Sequence, residues 1–361
     1  MTLATYHIGH DIPKDIQTNI DVRRIRRWLF WYKKLEAGPD WQKILLDLLL
    51  IKKVFFLART QKPDVLHAHL HEGVAIGWIV QKLLFWQKMT LVSDFHGSLT
   101  KEMVSHDYLG AGFLKKIFQR IEEWIDGMGD VAVTSSWENT QEMSVIRKDA
   151  PTETLLDGVD VERYASLPDK SEARENFQLP HDAIIITYTG ALIPNKGIQY
   201  FLESIPLVLQ ECSQVHFVIA GFPFNLIQPF FASHDISSSV TFISPLSYFD
   251  LPLLLRASDI GVDPKDVSVK QASGKLLQYM GAGLPVACFA TTNNKEYLSD
   301  GHVVAEEVSS AGLATAIVAL VRDDEMRRRL GLANSVKAQQ FSWDIPAEKL
   351  EKLIMDKVAA K

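Results

Sequence analysis

The sequence predicts an α/β fold built as two doubly wound domains, and three observations carry that prediction. Short apolar runs rich in Val, Ile and Ala alternate with longer helical stretches in both halves of the chain, the pattern of parallel sheets covered on both faces. A turn-rich interval between Leu155 and Pro180 separates the two alternating series. The 361 residues, 47% hydrophobic and 23% charged, are enough for two separate cores.

In the first half, Thr2–Tyr6 and Ile20–Ile25 read as strands, followed by a helix over Trp41–Thr60. Asp64–His69 (DVLHAH) is a strand, His71–Phe85 a helix, Met89–Phe95 (MTLVSDF) a strand, Phe113–Met128 a helix and Val131–Ser136 (VAVTSS) a strand. The interval that follows carries the turn signals Asp157–Gly158, Pro168–Asp169 and Pro180–His181 around one short helical piece, Ser171–Phe177. The domains are placed at 1–165 and 166–345.

The second half repeats the alternation. Strands are predicted at Ala183–Thr189, Val215–Ala220, Val240–Ser244, Asp259–Val262 and Val286–Phe289. Helices are predicted at Gly197–Glu211, Asn225–His234, Tyr248–Arg256 and Gly274–Met280. Leu313–Lys361 is helical, interrupted near Ser342–Pro346. Open parallel sheets bind ligands at the carboxyl ends of their strands, so the chemistry is expected in a cleft between two such domains.

Composition removes several function classes. A formal charge of −6 and a pI near 6.0 are wrong for a protein that holds nucleic acid by bulk electrostatics. Cys212 and Cys288 lie far apart without CxxC or Cys/His spacing, which fits a reducing, cytoplasmic setting and neither a disulfide framework nor a zinc site. No charged-then-apolar leader opens the sequence. Ile44–Ala58 and Val74–Trp86 are interrupted by Asp47, Lys52, Lys53, Gln81 and Lys82 and fall short of a bilayer span. The run Arg23–Lys34 (RRIRRWLFWYKK) mixes cations with Trp and Tyr, as suits an anionic membrane face; a packed loop at a strand edge reads equally well. His67, His69 and His71 alternate as if on one strand face, but without Cys, Asp or Glu at ligand spacing they read as structural, and no metal is expected.

The centre of the chain's chemistry is Ser273–Val286 (SGKLLQYMGAGLPV). Ser273 is placed to cap a helix whose first amides and positive dipole end, at Gly274, would face an anion, most naturally a phosphate. Lys196 follows the strand ending at Thr189–Gly190 and can set an ammonium on a diphosphate, while Gly197 lets backbone approach. On the other side, Asp94–Gly97 (DFHG) closes a strand; a neutral His96 can hydrogen-bond a sugar hydroxyl, and Gly97 permits close approach.

Ser273–Val286, with Asp157–Asp160 (DGVD), Tyr188–Gly190 and Asn195–Gly197, and Ala257–Pro264 (ASDIGVDP), closely resembles the retaining glycosyltransferases of GT-B fold, the group that includes the α-mannosyltransferases and glycogen synthases. The resemblance covers nearly the whole chain. It implies two Rossmann-like domains facing across a cleft, with the last helix returning to the first domain, so that 346–361 would pack there. It implies transfer of a hexose from a nucleoside-diphosphate sugar to a glycan or lipid-linked hydroxyl, as in polysaccharide biosynthesis, without a resident cofactor or metal. Lys196 matches the lysine that binds the donor's diphosphate, and His96 the histidine that touches the donor hexose.

The chain departs from this pattern in three places. The arginine after the strand-end glycine is Ala191, and two glutamates eight residues apart are Lys270 and Gln278. Gln278 can still serve ribose hydroxyls. Lys270 and Lys275 either replace the lost positive charge or are surface lysines. The family's first strand, central in its N-terminal sheet, has no counterpart before Thr2–Tyr6, and an upstream strand is expected. The competing reading is a catalytically weak nucleotide-sugar binding protein.

Overall fold

The computed structural model describes residues 1–9, 18–33, 40–105, 108–110, 112–148, 150–265, 273–298 and 302–359. The chain divides into two units: Met1–Leu155 with Lys349–Lys361, and Leu156–Glu348.

In the first unit, β1 (Thr2–Thr5) and β2 (Asp21–Arg24) form a parallel pair of their own. Helix α1 (Trp41–Gln61) starts where the Asp40 side chain accepts from the amide of Gln42. Then come β3 (Val65–His69), α2 (Leu70–Leu83), β4 (Thr90–Phe95), α3 (Leu99–Ser105), α4 (Phe113–Asp126), β5 (Val131–Thr134), α5 (Trp137–Arg147) and β6 (Thr152–Thr154). The last four strands make a parallel sheet in the order β3-β4-β5-β6. Its strands alternate between two buried faces. Leu91, Phe95 and Ala132 pack against Val74, Ile125 and Met143 of the helices on one side, while Val92, Val131 and Val133 meet Leu350, Leu353 and Ile354 on the other.

The second unit contains α6 (Val161–Ala165), α7 (Lys170–Asn176), β7 (Ile184–Ala191), α8 (Ile198–Glu211), β8 (Val215–Phe222), α9 (Gln228–Ser233), β9 (Val240–Ile243) and α10 (Leu251–Ala257). It continues with β10 (Ile260–Asp263), α11 (Gly274–Gly281), β11 (Val286–Phe289), α12 (Thr292–Tyr297), β12 (Val304–Ala305), α13 (Ser310–Arg322) and α14 (Asp324–Ala338). Helix α15 (Asp344–Ala359) closes the chain. Six strands form one parallel sheet, β12-β11-β10-β7-β8-β9. Ile186, Tyr188, Phe217 and Ile219 face a large core with α8 and α13; Ile185, Val218 and Ala220 face a smaller one with α7 and α10.

Several details differ from the sequence reading. Residues 156–165 pack with the second unit, not the first: Val159 bridges to Ser342, and the Tyr164 hydroxyl donates to Gln278 Oε1 at 2.7 Å. Two helices start later than predicted because Pro229 and Pro252 sit in their first turns. β5 stops at Thr134, since Ser136 caps α5 by accepting from the amide of Asn139. Asp323 likewise accepts from the amide of Met326 and separates α13 from α14.

Candidate active site

The donor-side residues meet within the second unit, at the carboxyl ends of β7 and β10. β7 ends near Gly190, and a Cβ there would lie 3.7 Å from Lys275 Nζ. A short 3-10 turn, Pro194–Lys196, then leads into Gly197, which takes the left-handed conformation at φ 74°. A Cβ on Gly197 would stand 1.9 Å from the carbonyl oxygen of Pro264 and 3.2 Å from the amide nitrogen of Lys265. The loop after β7 therefore lies backbone to backbone on the end of β10, and only glycine permits both the conformation and the approach.

That contact gathers three lysines. Lys265 is 6% exposed, and its burial pushes the ammonium down to about 8. Asp263 and Asp157 pull it up, while Lys196 and Lys275 press it further down. Lys275 Nζ stands 3.5 Å from Asp263 Oδ1 and 4.1 Å over the ring of Tyr188. Asp263 is fully buried, yet neither of its oxygens nor Lys275 Nζ has a hydrogen-bond partner among the described residues.

Ser273 occupies the N-cap position of α11 but does not cap it. Its ψ of 91° differs from the 151° and 161° of Ser136 and Ser309, which do cap their helices. Its Oγ is left buried without a hydrogen-bond partner among the described residues. Gly274, the first residue of α11, is exposed, and a Cβ there would be 3.7 Å from Asp157 Oδ2. Lys196, Lys275, Ser273 and Gly274 thus share one locality, linked through Asp157 and Lys265. Gln278 sits on α11 with its Oε1 held by Tyr164. Lys270 lies outside the described residues.

Sequence reasoning missed Lys265 and looked only to Lys270 and Lys275 for the charge absent at Ala191. The available signal was its place directly after Asp263–Pro264, at the end of a strand whose carboxyl edge should face ligand.

In the first unit, Asp94, His96 and Gly97 at the end of β4 meet His67 and His69 from the end of β3. Asp94 Oδ2 lies 3.1 Å from both His67 Nε2 and His69 Nδ1, and its Oδ1 lies 3.4 Å from His96 Nε2. The imidazoles of His69 and His96 stack at 5.9 Å. Burial raises the Asp94 pKa, but the hydrogen bonds of His67 and His69 and the nearby His96 outweigh it and hold the carboxyl below its usual range. The hydrogen bond to Asp94 raises His69 in turn.

His71 does not share that face, contrary to the sequence reading. Leu70 takes a left-handed φ of 62°, which ends the strand alternation, and His71 is buried on α2, 3.1 Å from Asp126 and 3.8 Å from Glu122. The carboxylates thought absent from histidine neighbourhoods are therefore present in both. His67, His69 and Asp94 form one group with donor atoms within 4.8 Å of one another, and His71, Glu122 and Asp126 form a second.

Residues 169–335 match the family model of the glycosyl transferases group 1, a span that holds every donor-side residue above except Asp157 and Tyr164. The chain carries a group 1 glycosyl transferase domain. It is 25% identical over 315 residues to a D-inositol 3-phosphate glycosyltransferase of Corynebacterium jeikeium, covering 80% of this chain and 71% of that protein. It is 22% identical over 294 residues to a phosphatidyl-myo-inositol mannosyltransferase of Mycobacterium tuberculosis, covering 80% and 72%. Among solved structures, the sucrose-phosphate synthase of Thermosynechococcus elongatus superposes with a TM-score of 0.77 at 16% identity, over 100% of this chain and 89% of that one. HepE of Anabaena, in complex with UDP-glucose, superposes with a TM-score of 0.73 at 15% identity over the whole of both chains. The fold of this chain is the GT-B type, with two Rossmann-like α/β domains.

Proposed function

We propose that the protein transfers a hexose from a nucleoside-diphosphate sugar to a hydroxyl acceptor with retained anomeric configuration, and that it does so without a metal. The observation that carries this reading is the meeting of Lys196, Lys265 and Lys275 beside the start of α11, where Lys275 Nζ and Ser273 Oγ are buried polar atoms without hydrogen-bond partners among the described residues. Fixed ammonium groups and helix amides would stabilise the charge that develops on a departing diphosphate. In the reaction, the bond from the anomeric carbon to the phosphate oxygen breaks and a bond to the acceptor oxygen forms on the same face. The acceptor's proton passes to the diphosphate. His96 orients the hexose, and the amide of Gln278, held by Tyr164, serves the ribose.

The relatives include inositol-phosphate and phosphatidylinositol transferases, and a structural neighbour was solved with UDP-glucose; these support a nucleotide-sugar donor. Work at the cytoplasmic membrane face is part of the proposal. In the stretch from Arg23, buried Ile25, Leu29 and Tyr32 anchor the chain, while Arg26, Arg27, Trp28, Phe30 and Trp31 are exposed. Lys34 lies outside the described residues. Among the described residues no helix is long and apolar enough to cross a membrane.

The second reading, a nucleotide-sugar binder of weak activity, is favoured by Gln278 and Lys270 where the resembled enzymes carry glutamates. Incubating the full chain with UDP-glucose and GDP-mannose separates the two. A transferase releases nucleoside diphosphate when acceptor is added. A thermal shift with donor and no release on any acceptor leaves only the binder.

A further inference from the structure

The first unit holds a cavity of about 430 Å³ beside His96 and Gly97. Its walls come from the start of α1, the start of α2, α3 and α4. Trp41, Ile44, Leu70, Leu99, Met103 and Phe118 give it an apolar lining. Among the described residues its charged groups are Asp40, Asp47, Glu72 and Glu102 against Lys43, with His71 and His96 the other titratable side chains on the wall.

Glu72 Oε1 lies 3.6 Å from that lysine's ammonium and offsets its charge. Asp40 is the cap of α1, and Asp47 accepts from the Tyr6 hydroxyl, so both carboxylates are fixed in place. Behind the wall at His71 stand two more acids, Asp126 and Glu122. A phosphate entering this cavity would lose its hydration and meet carboxylates, a like-charge contact in a partly desolvated site. An uncharged hydroxylated head would instead find acceptors, and an alkyl tail would find the side chains of α1 and α4.

We infer that this cavity is the acceptor site and that it takes an uncharged polyol or glycoside bearing an apolar tail, excluding acceptors whose head carries a phosphate. The inference rests on the transferase reading above and narrows it. It also separates this chain from its relatives, two of which are named for phosphate-bearing inositols.

The test needs no donor. The full chain is titrated calorimetrically with octyl glucoside below its micelle concentration, with octyl phosphate, and with inositol phosphate. Octyl glucoside is expected to bind saturably, and the two phosphates at least about ten-fold more weakly. Trp41→Ala and Ile44→Ser change exposed side chains of α1, so the fold should persist; each is expected to weaken octyl glucoside by about ten-fold. The double variant Glu72→Gln, Glu102→Gln is expected to gain affinity for octyl phosphate. Equal binding of octyl phosphate, non-saturable binding of octyl glucoside, or indifference to both α1 variants overturns the inference. Titration with UDP and GDP in the same samples keeps the two readings apart: failure there removes the donor site and leaves the cavity result standing.

Discussion

On the proposed function, Lys265 sets the behaviour of the donor site. Its ammonium is buried among Lys196, Lys275, Asp263 and Asp157 and titrates near 8, far below a free lysine. A bound diphosphate favours the charged form, so affinity for UDP or GDP is full below that value and falls as pH rises through it, by at most about ten-fold per pH unit for one proton. Isothermal titration between pH 7 and 9 reads this slope, and Lys265→Met should abolish it while weakening binding about 10- to 100-fold at pH 7. Gly197→Ala would put a methyl against the Pro264 carbonyl in a left-handed conformation; a loss of at least about 2 kcal/mol in urea unfolding is expected. Gly190, Lys196, Gly197 and the start of α11 were legible in sequence because each stands at a glycine beside a strand or helix end. Lys265 was not, because its burial comes from the backbone of Gly197, distant in the chain, and no local pattern marks it. The histidine cluster failed for a similar reason: strand periodicity spoke for His67 and His69, and the backbone turn at Leu70 removed His71.

Secondary-structure elements were the most readable part of the sequence, since apolar period and turn residues act locally. The misplaced ends lie where a side chain settles them, at Pro229, Pro252 and the Ser136 cap, while the elements α3, α5, β6, α6, α12 and β12 were not predicted. Some ties between elements were invisible. Asp259, before β10, accepts from Arg174 of α7 at 2.6 Å, from Lys170 at 2.7 Å and from the amide of Ile185 in β7 at 2.7 Å. Lys170 is half exposed and adds little, but Arg174 is buried. Asp259→Ala leaves a buried guanidinium without its carboxylate and should cost about 3 kcal/mol in denaturant unfolding. At the first unit's edge, the exposed Trp28 and Trp31 sit among Arg23, Arg26 and Arg27. If this face meets the membrane, Trp28→Ala with Trp31→Ala lowers co-sedimentation with anionic vesicles about ten-fold and leaves neutral vesicles unaffected; equal sedimentation of variant and parent removes the membrane contact.

For the whole molecule, composition and alternation gave two α/β units, but not the place where they part. The interval after Leu155 was readable as a junction; that 156–165 pack with the second unit depends on Val159 and Tyr164 finding partners far along the chain. The units should also differ in acid. His302 accepts from the amide of Val286 through Nε2, and burial pushes its pKa down to about 4. A histidine that is neutral when folded and ordinary when unfolded contributes no penalty above about pH 6.5, and costs up to about 3 kcal/mol as pH falls from there to 4. The stabilisation from Asp94's depressed pKa is full above the unfolded carboxyl's value of about 4 and is lost only below it, so it is unchanged while His302 is being charged. Hydrogen exchange between pH 7 and 4 should therefore show the amides of β11 losing protection before those of β4. His302→Gln should flatten that difference.

One face of the first unit's sheet is covered by Leu350, Leu353 and Ile354. On a ribosome, Val92, Val131 and Val133 emerge well before the α15 residues that shield them from water. A nascent chain stalled before α15 would present that bare parallel sheet to chaperones, and a cut within α15 would be felt by strands more than two hundred residues earlier in the sequence.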